Sequence, residues 1–243
     1  MKFKNFVRSI PGLERSYRSA LHFYEGWTLS GKSTSEVFSD IFRKNRWAGR
    51  DSVSGTGSDE IQTRVIARRL PTLISELKVS TLLDIPCGDF HWMSKVDLNG
   101  VDYTGADIVE QLIADNRRQY QREDRTFMVL DMIRDPLPEA DLIFCRDCLV
   151  HLSYADISLA LENMAKSGSH YLLTTTFTEK DNVDIRTGQW RPINLERPPF
   201  SLPSPMMLVN EECTEGGGGY KDKSMGLWRV ADLRASLTQA QAG

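Results

Sequence analysis

Between residues 79 and 177 the chain carries five short apolar, β-prone runs separated by helical patterns, and no other feature constrains its fold as strongly. The runs span 79–85, 101–107, 126–131, 140–147 and 170–177. Helical spacing fills 108–120 and, through Ile157, Leu161 and Met164, 154–166. Short buried strands joined in this way predict a single doubly wound, mostly parallel α/β sheet. Residues 178–224 hold five of the ten prolines and five of the seventeen glycines, so they read mostly as loop. A last strand is expected at 225–230, pairing antiparallel at the sheet edge. Upstream, 51–59 is a polar, glycine-containing loop and Ser58 begins a helix. Ile61, Val65, Ile66, Leu70, Leu73 and Leu77 form the apolar face of that helix, which Pro71 interrupts.

A chain of 243 residues, 40% hydrophobic and 26% charged, suits one folded domain and excludes collagenous or disordered architectures. We divide it into an N-terminal helical arm, 1–45, and a domain, 46–243. Residues 1–30 interleave five basic and two acidic side chains with apolar ones such as Phe3, Ile10 and Leu21, a pattern that packs on a domain or rests on a membrane surface. Thirty basic residues against 33 acidic leave a formal charge of −3, which argues against nucleic acid as a principal partner. Four cysteines, at 87, 145, 148 and 213, are too few and too unevenly spaced for a secreted disulfide framework. No run approaches the ~18 apolar residues of a transmembrane helix, and no apolar leader opens the chain. A cytoplasmic protein is expected.

Acids close the first three runs. Asp84, Asp107 and Asp131 stand 23 and 24 residues apart, about one strand-helix unit each. A parallel sheet therefore delivers all three into the crevice beyond the carboxyl ends of its strands, where such folds bind ligands. One such acid alone reads more readily as a helix cap or turn residue; three in register read as a site. A carboxylate after the second strand accepts both hydroxyls of a ribose, which makes Asp107, followed by Ile108, the ribose candidate. Asp131 beside Met132 suits an adenine amine and a purine face. In the turn after the first run, Gly88 permits close backbone approach, Cys87 fills space, and Asp84 pairs with an ammonium or orders the turn. The turn lacks G-x-G-x-x-G and adds Asp89, so a pyrophosphate would be repelled while the sulfonium and ammonium of S-adenosylmethionine would be tolerated. A nicotinamide-dependent oxidoreductase is thereby disfavoured.

The run LLDIPCGDFHWM resembles motif I of the class I S-adenosylmethionine-dependent methyltransferases. YTGADIV resembles their acidic motif after the second strand, and LDMIRDPLPEADLIFCRDCLVHL their third and fourth strand segments. The resemblance spans about residues 46–235 and implies a Rossmann-like seven-stranded sheet with S-adenosylmethionine as cofactor. Pro86 and Asp89 depart from motif I, which usually carries further glycines. More narrowly, WAGRDSVSGTGS, CRDCLVHLS, YLLTTTF and DIRTGQWRPINL resemble a bacterial subgroup associated with saccharide and capsule-type methylation. That resemblance implies a saccharide or similar polar acceptor. Trp47, Ser54, Gly55 and Ser58 resemble the loop that covers the cofactor in this family, and Arg146 is counted with the cofactor-facing residues. A histidine after the fourth strand recurs near the acceptor in such proteins, which implies His151 as general base.

Methyl transfer is an in-line displacement at carbon that needs orientation first, and a base when the acceptor is a hydroxyl. An imidazole with an ordinary pKa of about 6.5 suits that role, with Asp147 orienting it, binding a metal, or acting as base itself. Strand alternation is expected to turn Cys145 and Asp147 one way and Arg146 and Cys148 the other, and no further ligands complete a zinc site. After the fifth run, Asn182, Asp184, Arg186, Trp190, Arg191 and Asn194 gather the amides, guanidinium groups, carboxylate and indole of a sugar pocket, with room for an anionic group. Mg²⁺ is compatible with a sugar methyltransferase, although no ligand set is readable. The alternatives are N-methylation of a small metabolite and a non-catalytic cofactor-binding module. A homodimer is compatible with the chain, which is otherwise silent on assembly.

Overall fold

The computed structural model describes residues 31–242, so the amphipathic pattern of residues 1–30 lies outside the described residues. The first helix, α1 (Thr34–Arg43), opens on a capping box in which Ser33 Oγ accepts from the Glu36 amide and the Glu36 carboxylate accepts from the Ser33 amide. It buries Val37 and Ile41, and Phe38 meets the Trp47 ring at 6.1 Å.

The second helix, α2 (Glu60–Leu77), corrects three sequence expectations. Ser58 closes a short 3₁₀ turn and Asp59 is the N-cap, with its carboxylate turned back to accept from the Arg50 and Asp51 amides at 2.8 and 2.9 Å. Pro71 does not interrupt the helix. A proline in a helix interior costs ~3 kcal/mol, but Ile66, Leu70, Leu73 and Ile74 are buried beneath the sheet at ~1.5–3 kcal/mol each, so packing wins. The buried face is also rotated: Gln62 and Thr63 are inside, while Ile61 is 57% exposed.

The five apolar runs form β1 (Thr81–Asp84), β2 (Asp102–Asp107), β3 (Arg125–Val129), β4 (Leu142–Cys145) and β5 (Tyr171–Phe177). Helix α3 (Glu110–Tyr120) follows β2, and α4 (Tyr154–Lys166) precedes β5. These strands pair in parallel, β3-β2-β1-β4-β5, and the sheet continues through β7 (Lys223–Arg229) to β6 (Met207–Asn210), both antiparallel pairings; α5 (Val230–Ala242) follows. The doubly wound sheet stands as read. The last strand is antiparallel as expected but lies inside the sheet, because the four residues of β6 cover its edge. So short a strand, reached through Pro203 and Pro205, carries too little alternation to be seen in the sequence.

Alternation along the strands sorts the core into two layers. Leu83, Ile143 and Leu172 face α4 and Leu233 of α5; Leu82, Leu142, Phe144 and Leu173 face α2 and Ile113 of α3. The chain winds outward from β1 to β3 and then returns to β4, so its direction reverses between β1 and β4. A crevice opens at the carboxyl ends of those two strands.

Candidate active site

The floor of the crevice is acidic, and two of its three acids are buried. Asp84 is buried at the end of β1, where its Oδ2 accepts from the Tyr103 hydroxyl at 2.5 Å; burial pushes its pKa up to about 8, with the hydrogen bond opposing. Asp107 is buried at the end of β2 and accepts from the Val109 amide at 2.9 Å and the Gly88 amide at 3.2 Å. Burial raises it to about 6 against those amides. Asp131, beyond β3, takes the Ile133 amide on Oδ1 and pairs through Oδ2 with Arg134, both the geometry of a turn acid.

The turn after β1 is fastened to the loop that roofs it. Gly88 has φ +54°, and a Cβ there would meet Ser54 Oγ at 2.3 Å, so only glycine lets loop and turn approach this closely. The Asp89 carboxylate accepts from Ser52 Oγ at 2.8 Å and the Val53 amide at 3.0 Å, while Ser54 Oγ accepts from the Asp89 amide. Asp89 therefore acts as a clasp on residues 52–54. Asn116 secures the other side by donating to the Gly88 carbonyl at 2.7 Å.

Two cavities lie under this roof. The first is walled by Asp84, Gly88, Asp107, Asp131, Met132 and Arg146, and also by Cys87, Ile108 and α1 residues including Phe38. The second, of ≈ 360 Å³, is lined by Gly55, Phe177, Trp190, Glu215, Tyr220 and Lys223 among others. They share Trp47, Ser54, Ser58, Asp147 and His151.

At this shared wall Asp147 has φ +52°, a left-handed turn held by its own amide donating to Thr175 Oγ1 at 2.8 Å. Its Oδ2 receives Lys223 Nζ at 2.5 Å and Arg146 Nη1 at 3.2 Å. Burial alone would raise the carboxyl, but those two cations hold it below the usual range. Arg146 is buried and anchored by Glu211 at 2.7 Å and by the Gly57 carbonyl at 2.8 Å, which ties β4 to the roof. His151 follows in a 3₁₀ turn, with Nδ1 3.0 Å from the Gln189 carbonyl and its ring stacked on Trp47 at 4.6 Å. A carbonyl only accepts, so Nδ1 carries the hydrogen and Nε2 keeps its lone pair. Burial lowers the imidazole pKa to about 4, so it is neutral at pH 7.

A family model described as a methyltransferase domain matches residues 58–205, the span from the roof through β1–β5 to the loop after them. The chain belongs to the methyltransferase-domain family. Its fold is similar to human N-acetylserotonin methyltransferase solved with S-adenosylmethionine, at 17% identity over 88% of this chain and 67% of that one, TM-score 0.56. It is also similar to the N-methyltransferase NodS from Bradyrhizobium japonicum, at 14% identity over 71% of this chain and 98% of that one, TM-score 0.53. No curated protein matches the chain.

Within this methyltransferase the cofactor-facing candidates come together: all of them line the first cavity except Gly55, which lines the second. Both catalytic candidates stand at the shared wall, but Asp147 does not orient His151, since its bonded partners are cations and Gln189 holds the imidazole. The expected strand alternation around Cys145 fails because β4 ends there and Asp147 turns left-handed. Cys145 and Cys148 thus enter the same core layer, while Arg146 and Asp147 pair with each other. Among the described residues no three His, Cys, Asp or Glu side chains converge as a metal site, so nothing in the donor set supports Mg²⁺.

The acceptor set needs the largest correction. Of its six members only Trp190 lines the second cavity. Asn182 braces its own loop, donating to the Asn194 and Pro198 carbonyls at 2.8 Å and accepting from the Asn194 amide. Asp184 accepts from the Tyr154 amide at the start of α4. Arg191 is buried on the Leu149 and Leu152 carbonyls, and Asn194 is buried with its amide on the Thr178 carbonyl. Arg186 is not in the cavity wall. These polar side chains satisfy main-chain groups of a long loop packed on the core, a demand the sequence shows only as polarity. The residues missed instead are Phe177, Glu211, Glu215, Tyr220 and Lys223. Phe177 closes the YLLTTTF run, and Glu215 and Tyr220 flank the four glycines; Glu211 and Lys223 join the site only through sheet pairing.

Proposed function

We propose that this methyltransferase methylates a hydroxyl of a saccharide or similar polar small molecule, with His151 taking the proton. The observation that carries the reading is the meeting of two cavities at one neutral, oriented imidazole. The first cavity suits the cofactor: Asp84 and Asp107 are buried carboxylates to which no cation is bonded among the described residues, so a cationic ligand with hydroxyl donors offsets their desolvation. Asp107 retains lone pairs for ribose hydroxyls beyond those given to two amides, and Asp84 faces the ammonium. Ile108 and Met132 supply apolar wall for the purine and Asp131 an acceptor for its amine. Cys87 fills space, its thiol kept protonated by burial. Ser54, Gly55 and Ser58 provide the roof.

When bound, the cofactor supplies a methyl group on a sulfonium, an electrophile for in-line displacement. His151 Nε2 accepts the hydroxyl proton as positive charge develops on the attacking oxygen, which makes that proton acidic enough for a weakly basic imidazole. Asp147, kept ionised by Lys223 and Arg146, favours the imidazolium electrostatically. Trp190 offers an indole face to the C–H face of a sugar. The four buried, unbridged cysteines support a reducing cytoplasm as its compartment, and no helix among the described residues is long and apolar enough to cross a membrane.

In calorimetry, wild-type protein should bind S-adenosylhomocysteine, and His151→Ala should retain that affinity while turnover drops by ~10²–10⁴. Near wild-type turnover in the variant removes His151 from the chemistry. Failure of the wild type to bind removes the cofactor reading.

A further inference from the structure

One carboxylate of the second cavity has no cation bonded to it among the described residues, although the Arg146 charge reaches it at longer range. Asp147 and Glu211 share Arg146 and Lys223, through contacts of 3.2 and 2.5 Å for Asp147 and 2.7 and 3.4 Å for Glu211. Glu215, on the loop before β7, is different. Its Oε1 accepts from Thr56 Oγ1 at 2.6 Å and its Oε2 lies 3.9 Å from Cys213 Sγ, and no cation is bonded to it among the described residues. The Cys213 thiol is held protonated by burial, so it brings no charge. Among the described residues that line the cavity, two carboxylates, Asp147 and Glu215, thus stand against one cation, Lys223, beside a neutral imidazole, and Lys223 is bonded to Asp147 rather than to Glu215.

The neighbouring surface is of matching character. Trp190 is 37% exposed and meets Tyr220 at 4.9 Å and 69°, with Phe177 behind them at 6.3 and 5.9 Å. Electron-rich ring faces attract an ammonium and give nothing to an anion. Lys180 already illustrates this, with Nζ 6.0 Å from the Tyr220 centroid while it pairs with Asp222. The anionic group that Arg186 and Arg191 suggested has no receptor in this cavity, since neither lines it and Lys223 is committed to Asp147 and Glu211.

We infer that the acceptor is an amine-bearing polyhydroxylated molecule, its ammonium held by Glu215 against Trp190 and Tyr220 while a hydroxyl reaches His151. This rests on the reading of the second cavity as the acceptor site and adds the charge of the substrate.

The test uses the full chain with S-adenosylmethionine and matched probes: methyl glycosides of glucosamine and galactosamine, of glucose and galactose, and of glucuronate. Release of S-adenosylhomocysteine is measured, and the methylated atom is located by NMR. The expected result at pH 7 is a ~10–100-fold advantage in kcat/KM for the amino sugars, the worth of one charge-assisted hydrogen bond, with the methyl on oxygen. Glu215→Gln keeps an oxygen for Thr56 but loses the charge, so the preference collapses while S-adenosylhomocysteine affinity is unchanged. Equal or faster turnover of the neutral sugars or the uronate overturns the inference. So do a preference that survives Glu215→Gln, a methyl found on nitrogen, or no turnover of either amino sugar. His151-dependent turnover of neutral sugars alone would leave the parent reading standing; failure to bind S-adenosylhomocysteine would remove both.

Discussion

Three titrating side chains set how the first cavity and the shared wall respond to pH. Asp84 and Asp107 have pKa values raised by burial to about 8 and about 6, and a cationic, hydroxyl-bearing ligand needs both ionised. Below those values a proton must leave before binding. Affinity for S-adenosylhomocysteine, followed by calorimetry, should therefore weaken as pH falls below 8, by up to ~10-fold per unit, and more steeply below 6. Asp84→Asn should abolish the first limb and Asp107→Asn the second. His151 stays neutral down to about pH 4, so kcat at saturating cofactor should be flat from pH 8 to 5. A decline centred near 6.5 would instead mean an imidazole in water. Asp107 and His151 were legible as single letters because each follows a strand run. That His151 leans on Gln189 rather than Asp147 was not, since Gln189 stands 38 residues on.

The elements that matter most to the site are two loops with opposite histories. The sequence assigns Trp47, Ser54, Gly55 and Ser58 to a cofactor roof, and the structure adds the Asp89 clasp on residues 52–54; Asp89→Ala should raise amide exchange at residues 52–55 and lower S-adenosylhomocysteine affinity, with protection in β1–β5 retained. The loop after β5 was read as an acceptor wall because it is rich in amides and guanidinium groups. Most of those groups instead hold up the loop, and Asn182 is the clearest case. Asn182→Ala strands the Asn194 amide and the Asn194 and Pro198 carbonyls, so thermal unfolding should report ~1–3 kcal/mol lost while cofactor affinity is unaffected. Composition cannot separate the two uses, because a polar side chain that binds a sugar and one that caps a buried carbonyl are the same letter.

For the molecule as a whole, the raised acids make the ligand-free state a stronger proton binder than the unfolded chain. Between pH 6.5 and 8 Asp84 stays protonated largely only when folded; His151, titrating around its ordinary 6.5 in the unfolded chain, opposes that at the lower end of the window without reversing it. Stability should then fall as pH rises through that window, by at most ~1.4 kcal/mol per unit, and Tm in differential scanning calorimetry should follow it. Asp84→Asn should flatten the slope. A rise in Tm between pH 6.5 and 8 would contradict the burial of Asp84.

Sequence alone determined the parallel sheet, its five parallel strands and the three acids at or just beyond their ends, because these rest on local rules: short apolar runs, helical spacing and a repeat of about one strand-helix unit. It also placed His151 and the roof through resemblance. Tertiary structure decided what no local rule carries. The pairing of β7 inside β6 brings Glu211 and Lys223 onto Arg146 and Asp147 across 65 and 76 residues, and Thr56 meets Glu215 across 159. Such partners are chosen by how strands register and loops close, so the charge of the acceptor cavity exists only in the folded chain.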